Sequence, residues 1–384
     1  MLKPFPKPIY VTRPLLPNLH EFHKLLSEVW ESQWLTNNGP KHQQLENELR
    51  EYLKVKYLSI FNNGMTALIA AVQALELTGE VITTPFTFAA TPHAIYWNRL
   101  KPVFADIKSD NLTIDPLSIE KHITKKTSAI LAVHVFGQPC DVVAIDKIAK
   151  KHKLKVIYDA AHAFGTEIKG VPIGKFGDIT MFSFHATKLF NTAEGGALVF
   201  NNSKLKKSIE LIKNFGIKNE REVIVSGING KMNELQASLG LLNLREIKSE
   251  RIKRQNIRNT YARELKGEAG ISLLESPSGI VDSLQYLVLR IDEKVFGISR
   301  DVIYRELKKY NVFTRKYFYP LCSDYNCYKT FPSSSKNNLP VANKVVKEVL
   351  SMPFYGALKE TDVIKICDIL KSVKELRINS KRNN

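Results

Sequence analysis

Short apolar runs rich in β-branched residues recur through the first half of the chain and alternate with segments whose apolar residues follow helical spacing. This alternation is typical of a parallel sheet with crossover helices. Helices are predicted over 66–77 and 142–151, which follow Gly64 and Asp141 as turn or capping residues. The predicted strands are 57–61, 81–84, 103–106, 129–134, 156–159, 180–184 and 196–200.

After Gly230 the pattern changes to a long helical stretch, from 233 to about 265, which suits a helix that bridges two domains. We therefore predict an α/β large domain over 1–245, built on the sheet, and a smaller C-terminal α+β domain over 246–384. The other elements expected in the second domain are a loop at 275–279, a strand at 283–291, a helix at 300–310, an exposed loop at 333–338 and a frayed tail at 380–384.

Composition argues against several classes of protein. The hydrophobic content of 44% is ordinary, and no apolar run approaches the roughly 20 residues that cross a bilayer. The N-terminus lacks the apolar segment of a signal peptide, so we expect a cytoplasmic protein. Four scattered cysteines favour reduced thiols, and Cys322 and Cys327 have no second Cys/His pair nearby, so no metal site is expected.

The net charge of +18 raises the question of a nucleic-acid partner. The lysine-rich stretches 121–126 and 147–155 are interleaved with apolar residues at helical spacing and carry no aromatic stacking pattern. We therefore favour a solvated lysine surface and expect no nucleic-acid partner. A positive field can also attract a substrate that carries a diphosphate.

Candidate chemistry lies just after the predicted strands, where ligands bind in an open parallel sheet. Gly64 opens a helix whose free backbone N–H groups can hold a phosphate, although a glycine there can also simply make the turn. Asp159 ends an apolar strand. A carboxylate at that position can keep the nitrogen of a pyridine cofactor protonated, or can cap the next helix.

Lys188 lies in an uncharged stretch, because His185 is the only other ionisable residue within 179–193. This setting suits a partly desolvated amine with a lowered pKa, as Schiff-base chemistry requires. A solvated surface lysine is the alternative. Most of the other lysines lie in charged runs, which favours the functional interpretation.

Taken in order, five segments resemble the DegT/StrS-type sugar aminotransferases, a family of fold-type I pyridoxal 5'-phosphate (PLP) enzymes. The likeness runs from about Asn37 to Gly240 and continues more loosely through 315–320 to Pro353. It implies an aspartate-aminotransferase-like fold with a mostly parallel seven-stranded sheet, PLP as cofactor, and a homodimer with shared active sites. The segments are Gly64-Met65-Thr66-Ala67-Leu68, Thr84-Pro85-Phe86-Thr87-Phe88, Asp159-Ala160-Ala161-His162-Ala163, Ser183-Phe184-His185-Ala186-Thr187-Lys188 and Glu194-Gly195-Gly196.

The resemblance also implies roles for individual residues. Lys188 would form the Schiff base with PLP and later move the proton, and Asp159 would pair with the pyridine nitrogen. His162 would lie near the ring hydroxyl as a third catalytic residue. Phe86 would stack on the cofactor ring.

The phosphate of PLP would be held by Ser183 and by the backbone from Gly64 to Thr66, joined by Asn229 from the partner subunit. The family usually has threonine where this chain has Met65. The phosphate-binding hydroxyl therefore comes from Thr66 or is absent.

The implied substrate-binding residues are His185, Arg315, Tyr317 and Tyr319. Lys231 replaces the usual arginine of the family, which removes bidentate pairing at that point.

The stretch that ends at Lys188, His-Ala-Thr-Lys, resembles enzymes that aminate C4 of a sugar, whereas enzymes that act at C3 usually have Tyr-Pro-Gly-Lys. We therefore expect a 4-keto sugar nucleotide, dTDP-4-keto-6-deoxyglucose, as substrate and glutamate as amino donor, in surface polysaccharide synthesis. A 3-keto sugar nucleotide is the alternative substrate. A sugar dehydratase of this fold has histidine in place of the lysine, so Lys188 argues against it. The intact Lys188 and Asp159 also argue against a non-catalytic homologue. A basic nucleic-acid-binding protein would show a strongly salt-dependent affinity for nucleic acid, which we expect to be absent.

Overall fold

The computed structural model describes residues 2–382. The α-helices of this part of the chain are α1 (Leu19–Ser32), α2 (Pro40–Tyr52), α3 (Gly64–Ala74), α4 (Ala90–Trp97), α5 (Pro116–His122), α6 (Val142–His152), α7 (Ser203–Lys213), α8 (Glu234–Glu264), α9 (Glu293–Phe296), α10 (Arg300–Lys309), α11 (Pro340–Val345) and α12 (Glu360–Arg382). The strands are β1 (Ile9–Tyr10), β2 (Tyr57–Phe61), β3 (Glu80–Thr83), β4 (Lys101–Phe104), β5 (Thr127–Val133), β6 (Lys155–Asp159), β7 (Glu167–Ile168), β8 (Val171–Pro172), β9 (Ile179–Ser183), β10 (Gly196–Phe200), β11 (Ile217–Asn219), β12 (Glu222–Val223), β13 (Ile271–Leu273), β14 (Ile280–Val281), β15 (Leu287–Ile291), β16 (Val312–Phe313) and β17 (Val349–Met352).

A seven-stranded sheet lies at the centre of the fold, with the strand order β2-β10-β9-β6-β5-β3-β4. Its strand pairs are parallel except those of β10, which is antiparallel to both β2 and β9. The strands are almost entirely buried, as expected for a sheet covered by helices on both faces. The predicted α/β class and mostly parallel seven-stranded sheet are confirmed, and each predicted strand overlaps one of these seven.

The long helix α8 passes between two hydrophobic cores. Ile247 packs in the core beneath the large sheet, whereas Ile257 packs in a second core with β15, β17, α10 and α12. The N-terminal segment belongs to the second core, because β1 pairs in parallel with β16 and Phe5 is buried there. This placement concerns residues 5–10, whereas Leu15 and Leu25 pack against the core beneath the large sheet. The domain bounds 1–245 and 246–384 stay predictions.

Several predicted elements of the C-terminal part have different bounds. The strand predicted over 283–291 begins only at Leu287, because Leu284 has φ 58°, which is incompatible with extended backbone. The exposed loop predicted at 333–338 is exposed only from 335 to 338; it forms two 3₁₀ turns, and Ser333 and Ser334 are buried. The helix predicted over 300–310 is present as α10.

A frayed tail is predicted at 380–384, but the backbone of α12 continues to Arg382. The last two residues of the predicted tail lie outside the described part of the chain. No helix within residues 2–382 combines the length and the apolar character needed to cross a membrane.

Candidate active site

A cavity of about 500 Å³ opens where three central strands end. Val133, Asp159 and Ser183 are the last residues of β5, β6 and β9, and all three line it. This is the edge of an open α/β sheet at which ligands bind. The sequence-predicted site residues that line the cavity are Gly64, Met65, Asp159, His162, Ser183, His185, Lys188 and Tyr317.

Asp159 is a buried carboxylate with two hydrogen-bond donors. Its Oδ1 accepts the N–H of Ala161 at 3.0 Å, and its Oδ2 accepts the hydroxyl of Thr91 at 2.8 Å. Burial raises the pKa of Asp159, and these two hydrogen bonds and the positive charge of Lys188 oppose the rise. A cation placed beside this carboxylate would therefore stabilise its ionised form. Thr91 lies in the first turn of α4, three residues after the family-like segment 84–88, and was not predicted as a site residue.

Lys188 lies on the same cavity. Burial lowers the pKa of its amine to about 8, and the negative charge of Asp159 opposes this shift. Its Nζ is 6.0 Å from the centre of the Tyr286 ring. An amine with this pKa is partly unprotonated near neutral pH, so it can act as a nucleophile and as a base.

His162 is held as a neutral imidazole. Its Nδ1 accepts the backbone N–H of Phe136 at 3.2 Å, so the ring proton lies on Nε2. Burial, with a smaller contribution from the charge of Lys188, lowers the pKa of His162 well below its ordinary value. Phe136 has φ 56°, an uncommon backbone conformation for a phenylalanine. This strained residue directs its N–H towards the histidine.

Aromatic side chains form one wall of the cavity. The Phe318 ring lies parallel to the His162 ring at 5.7 Å between centroids, and the Tyr286 ring meets His162 edge-on at 5.0 Å. Tyr317 and Phe318 come from the segment after β16, and Tyr286 directly precedes β15. Tyr286 carried no sequence signal, and Phe318 lies in the loosely matching segment 315–320 but was given no role. The C-terminal part brings both to the site from more than 90 residues away along the chain.

The first turn of α3 and Ser183 form a place for an anion. A Cβ on Gly64 would lie 3.2 Å from the Ser183 Cβ and 3.3 Å from its Oγ, so glycine allows this close approach. The N–H groups of a first helical turn have no partners within the helix and attract anions. Thr66 contributes no hydroxyl to the cavity, because its Oγ1 donates to Asn62 at 2.6 Å. Thr66 does not line the cavity of the single chain, and its replacement of the missing threonine at Met65 stays a prediction.

The structure also corrects the residue expected to stack on the cofactor ring. Phe86 is fully buried and does not line the cavity; its ring packs edge-on against Phe136 and Phe318 at 5.9 and 5.8 Å. The N–H of Phe86 donates to the Thr84 hydroxyl at 3.1 Å, and the loop bends at this point. Phe88 is 62% exposed and lines the cavity instead.

Three other predicted residues lie outside the cavity of a single chain. Arg315 and Tyr319 are exposed, and Arg315 exchanges backbone hydrogen bonds with Ser351.

Asn229 is exposed, and its carbonyl accepts the side-chain N–H of Asn62 at 3.0 Å. Its predicted contact with a partner's cofactor stays a prediction. Lys231 donates to the Oδ1 of Asn214 at 2.8 Å.

The combination of fold and site defines a class of enzyme. A mostly parallel seven-stranded sheet presents a buried carboxylate and a lysine of lowered pKa on one cavity, next to a neutral histidine and an anion-binding helix start. These are the parts of an aminotransferase. The model of the DegT/DnrJ/EryC1/StrS aminotransferase family matches residues 18–371, and the chain belongs to this family.

Close relatives match nearly the whole chain. The dTDP-4-amino-4,6-dideoxy-D-glucose transaminase of Escherichia coli is 47% identical over 367 residues, which are 95% of this chain and 98% of that protein. The transaminase of the same name from Shigella dysenteriae is 43% identical over 371 residues, covering 97% and 100%. The solved structure of DesI in the presence of its TDP-sugar product has a TM-score of 0.94 at 33% identity, covering 100% of this chain and 97% of that one.

We predict that the Lys188 amine of the cofactor-free protein titrates near pH 8, because burial lowers its pKa to about 8. Asp159→Asn should lower this midpoint further, since the Asp159 charge raises the lysine pKa. The measurement is the rate of reductive methylation of Lys188 against pH, followed by peptide mass spectrometry. Asp110→Asn, at an exposed carboxylate, is the matched control and should change nothing. A wild-type midpoint near the ordinary lysine value of about 10.4 would contradict the desolvation of this amine.

Proposed function

We propose that the protein is a PLP-dependent aminotransferase that converts dTDP-4-keto-6-deoxyglucose into dTDP-4-amino-4,6-dideoxyglucose, with glutamate as amino donor. The observation that carries the proposal is that Lys188 and Asp159 line one cavity, where each charge shifts the pKa of the other group. The 47% identity to the E. coli transaminase of that product supports the choice of sugar. The sequence pattern before Lys188 supports amination at C4. A cytoplasmic location and a role in surface polysaccharide such as O-antigen stay predictions.

The residues of the cavity fit PLP. Lys188 supplies an amine for the cofactor aldehyde, and Asp159 supplies a carboxylate for the pyridine nitrogen. The neutral His162 can donate its Nε2–H to the ring hydroxyl, and the close approach of Gly64 to Ser183 leaves a cradle for the phosphate. Phe88 lines the same cavity and is the candidate to stack on the ring. Bound PLP would act as an electron sink for the carbanion formed during amino-group transfer.

The chain's own residues have separate tasks in this reaction. Asp159, fixed by Thr91 and Ala161, holds the proton on the ring nitrogen. Lys188, with a pKa of about 8, can accept a proton from the reacting carbon and return it near neutral pH. The aromatic rings of Tyr286 and Phe318 cover the His162 side of the cavity and limit the access of water there.

We also propose a homodimer in which Asn229 completes the partner's phosphate site. The segment 215–229 is largely exposed and carries apolar side chains, with Val223 68%, Ile224 51% and Phe215 48% exposed. Exposed apolar groups of this kind are typical of a surface that binds another protein. Asn229 ends this segment and is exposed with it.

The proposed reaction is tested by incubating the purified protein with PLP, glutamate and a panel of 3-keto and 4-keto sugar nucleotides, and identifying the amino sugar by NMR. We expect amination at C4 of dTDP-4-keto-6-deoxyglucose. Lys188→Ala should give no product, and Asp159→Asn should lose activity by orders of magnitude, because an unprotonated pyridine is a poor electron sink. Lys175→Ala, at an exposed lysine, should retain activity. Amination at C3 would favour the alternative substrate.

Shared active sites predict complementation between two defective subunits. Lys188→Ala is combined with a severe and nearly inactive Asn229 variant under conditions of subunit exchange. Each mixed dimer then holds one site with both defects and one with neither, so activity should return to about a quarter of wild type for random pairing. No recovery despite proven exchange would mean that Asn229 serves its own chain's site, or only the structure of the loop.

A further inference from the structure

The short segment Ser283–Tyr286, just before β15, reaches the cavity from the C-terminal part of the chain. Ser283 donates its hydroxyl to the carbonyl of His162 at 2.7 Å, and the Tyr286 ring contacts the His162 ring edge-on. Gly137 makes room for this approach, since a Cβ there would lie 2.3 Å from the Ser283 Oγ. The segment therefore contacts His162, which lines the cavity, although its sequence shows no catalytic motif.

Gln285 makes two hydrogen bonds that bracket Lys188. Its Oε1 accepts the N–H of Leu189 at 2.5 Å, and its Nε2 donates to the carbonyl of Thr187 at 2.9 Å. The Gln285 side chain is buried. The two bonded groups belong to the residues on either side of Lys188, so together they restrict the backbone from which the lysine side chain projects.

The segment that carries Gln285 is itself held by α8. Arg254, a buried residue of that helix, donates to the carbonyl of Leu284 at 3.2 Å, and Arg251 donates to the carbonyl of Asp282 at 2.6 Å. The side chain of Asp282 accepts the N–H of Leu284 at 2.7 Å, where φ is 58°. A left-handed residue with both of its peptide groups hydrogen-bonded has little freedom to relax. The amide of Gln285 is therefore presented from a rigid support.

We propose that Gln285 is a positioning residue for Lys188: its amide holds the peptide groups of Thr187 and Leu189 and thereby keeps the lysine amine inside the cavity, facing Asp159. The inference rests on the proposed function in that Lys188 is the reacting amine. Accurate placement of a reacting group accounts for a large part of enzymatic rate enhancement, and small displacements are costly.

The test uses the full-length protein with Gln285→Met, which keeps the length of the side chain and removes both hydrogen bonds. In the cofactor-free protein, the midpoint of Lys188 methylation should rise by at least about one pH unit, because the freed amine reaches water; this lowers the rate at pH 7 about tenfold. In the PLP-loaded protein, kcat should fall at least about tenfold, while KM for the sugar nucleotide stays within about twofold.

Asn243→Ala is the matched control. Asn243 is also a buried amide, and it donates at 2.9 Å to the carbonyl of Asn191 in the same loop, three residues beyond Lys188. The control should lower thermal stability and leave the Lys188 methylation profile in place. If Gln285→Met does not fold, the same measurements on Gln285→Asn decide, because this shorter amide cannot reach both peptide groups.

A Gln285 variant that loses stability as the control does, with an unchanged methylation profile and kcat, would overturn the proposal and leave Gln285 a purely structural residue. Failure of the proposed function gives a different result. In that case wild-type protein would aminate no sugar nucleotide, while the methylation profile of the cofactor-free protein would still report whether Gln285 positions Lys188.

Discussion

Desolvation of two opposite charges on one cavity is the constraint on which the site depends. Burial disfavours the charged forms of both Lys188 and Asp159, and each charge partly offsets the penalty on the other. The carboxylate also requires the hydroxyl of Thr91 and the N–H of Ala161. The lysine is left with an amine that is reactive near neutral pH, which a solvated lysine is not.

The fold satisfies this constraint from two sides. Parallel strands end together at one edge of the sheet. Because β6 and β9 are parallel neighbours, Asp159 and Ser183 at their ends lie close together. The C-terminal part then closes the cavity with Tyr286, Tyr317 and Phe318. Helix α8 contributes residues to both cores. Its Arg254 donates to the carbonyl of Leu284, and this hydrogen bond holds the segment before β15 against the helix.

The sequence predicted what depends on local pattern and missed what depends on distant packing. Apolar runs and strand ends are local features, so the sheet and the placement of Asp159 and Lys188 on one cavity could be predicted. Phe86 and Phe88 are the same residue type in one loop, and only the bend after Thr84 shows which ring faces the cavity. Gln285 bonds to a residue 96 positions away, for which the pattern offers no signal.

The central claim is that Lys188 is the amine that binds the cofactor. The direct measurement is borohydride reduction of the PLP-loaded protein, followed by peptide mapping of the pyridoxyl group. Our account predicts a single stable label on Lys188, because this lysine combines a lowered pKa with a position beside Asp159. A label on another lysine, or none at all, would contradict it.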